Sequence, residues 1–180
     1  MTIARPTRPC RHDQSFRLRE TTSSKLWDFG WFDRSEFDVG RDLGAHGRDV
    51  LRRFLQSPIA QRSFCTSPDP WGAPVERHGP YLCASCDSSW FDPITEVELR
   101  QRIAGIMGHP EFEEPPSREQ RGPVDEWVER AASSGGSLFV LSPPARPDVR
   151  VEWDVWTLFH EFLCLSPDDR QLSVGVFGHD

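Results

Sequence analysis

The chain has 180 residues and a mass of 20.6 kDa, which is the size of one ordinary domain. Only 37% of its residues are hydrophobic, but 7 Trp, 12 Phe and 1 Tyr exclude a disordered chain, because disordered chains lack bulky aromatic residues. No window approaches the roughly 18 apolar residues of a membrane-spanning helix, so we expect no membrane partner.

The formal net charge is −7, and the two signs are unevenly placed. Residues 1–62 hold 12 basic and 8 acidic residues, whereas residues 63–180 hold 9 basic and 20 acidic residues. A duplex-binding protein needs a positive face, so the acidic part argues against nucleic-acid binding. We expect residues 1–14 to form a disordered basic arm ahead of one domain spanning residues 15–180.

Cysteine usage and the start of the chain predict the compartment. No apolar core of about 7–15 residues follows the charged start, so we expect no secretory signal. Five cysteines are an odd number, which favours a reduced, cytoplasmic protein. The basic residues are arginines apart from Lys25, a coding bias typical of a GC-rich, bacterial source.

Two segments near the start alternate apolar and polar residues, as a strand with one buried face does. Their apolar members are Phe16 and Leu18 in the first segment, and Trp27, Phe29 and Trp31 in the second. Residues 33–35 then predict a turn, and Phe37 and Val39 predict a short return strand.

Two further segments space their apolar residues as helices do. Their apolar positions are Val50, Leu51, Phe54 and Leu55 in the first helix, and Val124, Trp127, Val128 and Ala131 in the last. We expect Pro58 to end or bend the first helix. Pro123 suits the first turn of the last helix, and Gly135 lies beyond its end.

The helix between them carries the clearest local signal. Thr95 and Glu98 predict a capping box, in which each side chain bonds the other residue's backbone amide. Ile94 and Leu99 occupy the positions of a hydrophobic staple, and Gly108 supplies the stop. The predicted buried stripe consists of Leu99, Ile103, Ile106 and Met107.

The C-terminal part favours strands. Residues 137–141 form an apolar run of strand length, and residues 149–155 alternate apolar and charged residues. Residues 156–164 are apolar on both faces, so a helix and a strand both fit; we favour a strand. Residues 167–170 predict a hairpin turn before a strand over 171–177. We therefore predict an α+β domain with a mostly antiparallel sheet packed with two or three helices.

One cysteine spacing has a recognised chemistry. Cys83 and Cys86 stand at the C-x-x-C spacing that can chelate zinc, and His78 and Cys65 could complete a four-ligand site. Such a metal would tie down the proline-rich loop of residues 66–80. No second closely spaced pair of ligands exists, so the two cysteines could instead form a redox dithiol or have no special role. We expect no cofactor, with zinc as the alternative.

Two weaker catalytic readings remain open. His160 and Cys164 with the intervening glutamate resemble a degraded H-E-x-x-H motif, which needs a helix to bring both ligands together. A cysteine paired with His78, His109 or His160 would be a hydrolase dyad. Since no complete catalytic signature is present, we expect a protein that is not an enzyme.

The tryptophans suggest a partner surface. Four lie on predicted apolar faces and are expected in the core: Trp27, Trp31, Trp127 and Trp153. Trp71 and Trp90 lie in predicted loops, as recognition hot spots do. The acidic residues expected to contact a partner with them are Glu111, Glu113 and Glu114. We therefore expect a small acidic module that captures another protein, favouring a basic one, as inhibitor, immunity-type or adaptor proteins do. The alternative is a zinc- or cysteine-dependent enzyme built around His78, Cys83 and Cys86.

Overall fold

The computed structural model describes residues 15–63, 77–82, 85–109, 114–145 and 158–179. The predicted basic arm of residues 1–14 and the predicted strand of residues 149–155 lie outside the described residues. Most of the proline-rich loop of residues 66–80 lies outside them too.

Six antiparallel strands form one sheet, and two further strands pair with each other in a separate hairpin. The strands of the sheet are β1 (Phe16–Lys25), β2 (Gly30–Val39), β5 (Phe91–Ile94), β6 (Ser137–Leu141), β7 (Leu158–Leu165) and β8 (Gln171–His179). The hairpin strands are β3 (Arg77–His78) and β4 (Tyr81–Leu82). The strand order in the sheet is β1-β2-β8-β7-β6-β5. This arrangement confirms the predicted mostly antiparallel α+β fold.

The helices are α1 (Arg48–Leu55), α2 (Pro58–Ser63), α3 (Glu96–Met107) and α4 (Arg118–Ser133). Short 3₁₀ turns span Arg41–Leu43 and Ser88–Trp90. The predicted stop near Pro58 is confirmed, because α1 ends at Leu55 and Pro58 begins the next short helix. Among the described residues, α1, α3 and α4 are the helices with more than two turns.

Each face of the sheet carries its own hydrophobic core. On one side, which we call the α1 face, α1, α2 and the hairpin pack on strand residues such as Leu163 and Val174. On the other side, the α4 face, α3 and α4 pack on residues such as Phe162 and Phe177. Neighbouring strand residues point to opposite faces, so the central strands contribute side chains to both cores. The sheet therefore lies between two layers.

The predicted ends of α3 are confirmed. Thr95 Oγ1 accepts from the Glu98 amide at 3.2 Å, and Glu98 Oε2 accepts from the Thr95 amide at 2.7 Å. Gly108 is the C-cap, and the four predicted apolar positions are buried. The Thr95 amide and the Thr95 hydroxyl both donate to the Glu98 carboxylate, and these two bonds hold the pKa of this exposed carboxyl below its usual range.

The predicted start of α4 is wrong. The helix begins five residues before Pro123, at Arg118, behind a capping box between Ser117 and Gln120. Pro123 therefore lies in the second turn, where it leaves one carbonyl of the first turn without its helical donor. The buried stripe that includes Trp127 is as predicted. The capping box ahead of the proline decided the start of this helix.

The turn predicted at residues 33–35 is also wrong, because these residues lie inside β2. This strand pairs with β1 on one side and with β8 on the other, and the two ladders outweigh the turn-like composition. Buried Arg34 lies 3.1 Å from Glu20 and 3.6 Å from Glu36, which neutralise its charge. The chain reverses before β2, where Phe29 is 69% exposed rather than on a buried strand face.

The strand favoured for the segment after residue 156 is confirmed by β7, which pairs with β6 and β8. The predicted hairpin turn before β8 is also present. Ser166 Oγ accepts from the amides of Arg170 and Gln171, and Asp169 adopts a φ of 56°. Asp and Asn tolerate this left-handed backbone better than most residues.

Candidate functional site

His78 and Glu161 form a buried pair on the α1 face. Glu161 lies on β7 in the interior of the sheet, and His78 comes from β3 of the separate hairpin. The His78 Nε2 atom is hydrogen-bonded to Glu161 Oε2. The side chains are only 3% and 1% exposed, so water screens their charges poorly.

Opposing effects set the protonation of this pair. Burial by itself lowers the pKa of His78, but the charge of Glu161 and the hydrogen bond to it together raise the pKa above its usual value. The second carboxylate oxygen, Glu161 Oε1, is buried and has no hydrogen-bond partner among the described residues. Pairing with Glu161 therefore favours the protonated form of the His78 imidazole, whereas burial opposes it.

Aromatic packing holds the hairpin over this pair. Gly79, which follows His78, has a φ of +57°, and a Cβ atom there would clash with the Phe159 ring. Tyr81 packs edge-on against Phe159 at 6.2 Å between ring centroids and against Trp90 at 5.7 Å. The glycine thus allows the hairpin backbone to approach the Phe159 ring closely, which places His78 next to the sheet.

A second candidate feature is the outer edge of β1. No described strand pairs with this edge, since β1 ends the sheet. Eight of its ten residues are exposed. A bulge between Leu18 and Glu20 interrupts the ladder, which leaves a regular stretch from Glu20 to Lys25.

The hydrogen-bonding direction of each residue on β1 follows from the turn. Leu26 donates to the Gly30 carbonyl at 2.9 Å, and hydrogen-bonded and non-bonded pairs alternate along an antiparallel ladder. Thr21, Ser23 and Lys25 therefore point their N–H and C=O groups away from β2. These three residues present an open row of donors and acceptors.

The opposite edge of the sheet is built differently. Strand β5 has four residues, and one of them is Pro93, which has no N–H to donate. A short, proline-containing edge is a common protection against unwanted pairing. Strand β1 has ten residues and no proline, so the two edges differ in their capacity to accept another strand.

Several predicted site residues lie within the described part. Trp90 is partly buried and packs against the α1-face core, as does Cys86. Glu114 is exposed. The partner-binding roles of Trp90 and Glu114 stay predictions. The other predicted site residues lie outside the described residues; they are Trp71, Glu111, Glu113, Cys65 and Cys83.

The expected core tryptophans can be placed in part. Trp27 and Trp127 are buried, and Trp31 is partly buried against the α1-face core. Trp153 lies outside the described residues.

The metal predictions have different outcomes. No group of three or more metal-ligating side chains comes together in the described part of the chain. The helical spacing proposed for His160 and Cys164 is wrong, because both lie on β7. Along a strand, four residue steps span about 13 Å, which is too far for both side chains to bind one metal ion. The zinc site with His78 and Cys86 stays a prediction, since its other two ligands lie outside the described residues.

Sequence reasoning missed Glu161 as the partner of His78 and missed the open edge of β1. Nothing local joins the first two residues, which are 83 positions apart. The edge had a weak signal: residues 20–25 are polar and contain neither glycine nor proline. Strand order alone decides whether such a strand lies at an edge.

Comparison of the chain with protein-family models, with curated proteins and with solved structures finds no match. No helix of the described residues is long and apolar enough to cross a membrane.

Proposed function

We propose that this protein captures an extended segment of another protein along the outer edge of β1. The open row of main-chain groups at Thr21, Ser23 and Lys25 carries the proposal. An added strand would bond these groups and extend the sheet from six strands to seven, which is how many domains bind peptides.

Main-chain hydrogen bonds would be the principal attraction for a partner at this edge, because the charged side chains around it are largely paired. Arg17 is paired with Asp38, and Lys25 with Asp28, so much of the charge beside the edge is already neutralised. Phe29, at the turn that follows β1, is 69% exposed and offers an apolar contact. Main-chain bonding gives affinity, and contacts at Phe29 would favour segments that carry an apolar residue.

The partner proposed is positively charged overall. The chain has a net charge of −7, and a basic partner is attracted over the distance that ionic screening allows. This attraction accelerates encounter, whereas the bonds to β1 hold the complex. The proposal thus describes a small acidic binding module of the inhibitor, immunity or adaptor kind.

Selection of a displayed library of random twelve-residue peptides against the full chain tests the proposal. We expect selected peptides to bind the native protein and Ser23→Ala with the same affinity, and Ser23→Pro at least tenfold more weakly. Proline removes the outward N–H, whereas both substitutions remove the serine hydroxyl. Selected peptides that bind both variants equally, or a selection without enrichment, would contradict it.

A zinc- or cysteine-dependent enzyme around His78, Cys83 and Cys86 is the second candidate, and the buried Glu161 favours it. Histidines that bind metals usually donate their other ring N–H to a carboxylate or carbonyl. In neutral His78, Nε2–H would donate to Glu161 and Nδ1 would keep the lone pair that zinc needs. Elemental analysis of chelator-free protein tests this: stoichiometric zinc that is lost in Cys83→Ser supports the site, and its absence removes it.

A further inference from the structure

A cleft lies beside α3, at the place where β6 ends and β7 begins. Its volume is about 450 Å³, within the range of small-molecule pockets. The second half of α3 and His109 form one wall, and Val140, Pro143 and Phe159 belong to the other. Two strands, β2 and β8, lie between β1 and the strands that line the cleft, so the binding edge takes no part in it.

The polar lining of this cleft is entirely basic among the described residues. Arg102, His109 and His160 line it, and no described acidic side chain does. That is unusual on a chain with a net charge of −7. The positive charges of Arg102 and His109 act on His160 in the same cleft, and this positive potential favours the entry of an anion.

His160 shows the effect of this arrangement on protonation. Burial lowers the pKa of its imidazole, and the charges of His109 and Arg102 lower it further. An anion bound between these groups would counteract both the effect of burial and the charge repulsion, and would therefore favour protonation of His160. Binding and protonation are therefore coupled in this cleft.

The remaining lining is apolar. Ile106 from α3, Val140 from β6 and Phe162 from β7 are buried core residues that reach the cleft. Pro143 and Phe159 add apolar surface near the end of the sheet. A hydrated inorganic ion would leave this surface unused, whereas an apolar group attached to the anion would cover it.

We propose that this cleft binds a small organic anion, with a carboxylate or phosphate head held by Arg102, His109 and His160 and an apolar body against Ile106, Val140 and Phe162. The planar guanidinium of Arg102 can bind either head group through two parallel hydrogen bonds. The protonated imidazole of His160 adds a charge-assisted donor. This site is independent of the proposed capture of a partner by β1.

Calorimetric titration of the full chain with four probes tests the ligand class. Phenyl phosphate and benzoate carry both features, inorganic phosphate lacks the apolar body, and benzyl alcohol lacks the charge. We expect at least one aromatic anion to bind at least tenfold more tightly than inorganic phosphate and benzyl alcohol. The stronger of the two anions identifies the head group. Equal affinities for all four probes, or no binding of either aromatic anion at about 1 mM, would overturn the proposal.

A matched pair of variants tests the position of the site. Arg102→Gln should weaken binding of the preferred anion roughly tenfold or more, because it removes a charge-assisted bond. Arg53→Gln removes an exposed charge from α1, on the other face of the sheet, and should change the affinity less than twofold. Both residues are exposed helix positions, so both variants should fold. Equal effects of the two substitutions would show that only net charge matters and would overturn the assignment.

Protonation provides a second readout. Among the described residues, the ionisable groups that act on His160 are His109 and Arg102, both of which line the cleft. In an NMR titration, the pKa of His160 should rise when the anion is bound, and affinity should increase as the pH falls through that pKa. An unchanged His160 titration in the presence of bound anion would place the ligand elsewhere.

Discussion

His78 and Glu161 meet in the protein interior although 83 residues separate them in the chain. One belongs to a two-stranded hairpin and the other to the central part of the six-stranded sheet. Their hydrogen bond joins these two units across the α1 face. Because both side chains are almost completely buried, loss of one partner would leave the other in a medium that solvates it poorly.

Removal of the imidazole should be costly. We expect His78→Ala to lower the free energy of unfolding by about 3–5 kcal/mol, because it leaves the Glu161 carboxylate buried and uncompensated. The matched control is His46→Ala, whose imidazole pairs with Asp169 at 2.9 Å with its side chain 84% exposed. That change should cost less than about 1 kcal/mol. Urea unfolding measures both, and equal losses would contradict a special role for the buried pair.

The buried pair should also make stability depend on pH. The pKa of His78 is raised in the folded protein, so the folded state binds the proton more tightly than the unfolded state. The resulting stabilisation is complete below the unfolded value of about 6.5 and is lost as the pH rises through the folded pKa.

Glu161→Gln isolates this contribution, because the amide can still accept a hydrogen bond but has no charge. We expect the decline of the unfolding free energy above about pH 6.5 to be much smaller in this variant. Unfolding of the native protein and the variant across this pH range measures the difference. A parallel decline in both proteins would mean that another group is responsible.

Proline substitutions should reveal the register of β1. Ser24 pairs with Phe32 and directs its N–H into the ladder, so Ser24→Pro should cost roughly 1–3 kcal/mol by leaving a carbonyl unpaired. Ser23 directs its N–H outward, so Ser23→Pro should cost less than about 1 kcal/mol. Thermal and urea unfolding of the two variants measure this order. The reverse order would mean that the outward row consists of the other residues.

Two glycine-to-alanine substitutions should have opposite effects on the stability of the protein. A Cβ atom at Gly175 would lie 2.8 Å from the buried Trp127 ring, so Gly175→Ala should destabilise the protein by about 1–3 kcal/mol. Gly105 lies inside α3, and apart from its chain neighbours and its own helix backbone no atom lies within 4 Å of such a Cβ. Gly105→Ala should therefore stabilise the protein by about 0.5–1 kcal/mol, because glycine is a poor helix former. Denaturant unfolding gives both values, and a destabilising Gly105→Ala would refute the second.

Salt should slow the association of a basic partner. With a basic peptide obtained by the selection on β1, the association rate should fall several-fold between about 50 and 500 mM NaCl. A neutral selected peptide serves as the control and should change little. Stopped-flow or surface-based kinetics would measure the rates. An association rate for the basic peptide that does not change with ionic strength would contradict electrostatic attraction.

Much of the helical structure can be predicted because its signals are local. The capping box at Thr95 and Glu98 and the stop at Gly108 act within one helical turn, and the structure contains all three. Pro123 does not begin α4, because Ser117 and Gln120 form a capping box that starts the helix at Arg118. Local hydrogen bonds thus set both the ends of α3, which the sequence predicts correctly, and the start of α4, which it does not.

Strand arrangement is predicted less well because pairing joins distant segments. Residues 33–35 have the composition of a turn, yet pairing with β1 and β8 holds them in β2. The candidate sites show the same limit: His78 was a candidate from its spacing to cysteines, but its contact with Glu161 depends on the placement of the hairpin.

By itself, the sequence determined the α+β class, the buried helix stripes and the ends of α3, because helix periodicity and capping act over a few residues. Only the tertiary structure decided that β1 lies at an edge, that His78 meets Glu161, and that Arg102, His109 and His160 line one cleft. The physical reason is that these relationships depend on strand order and on layer packing, which bring together groups that no local pattern connects.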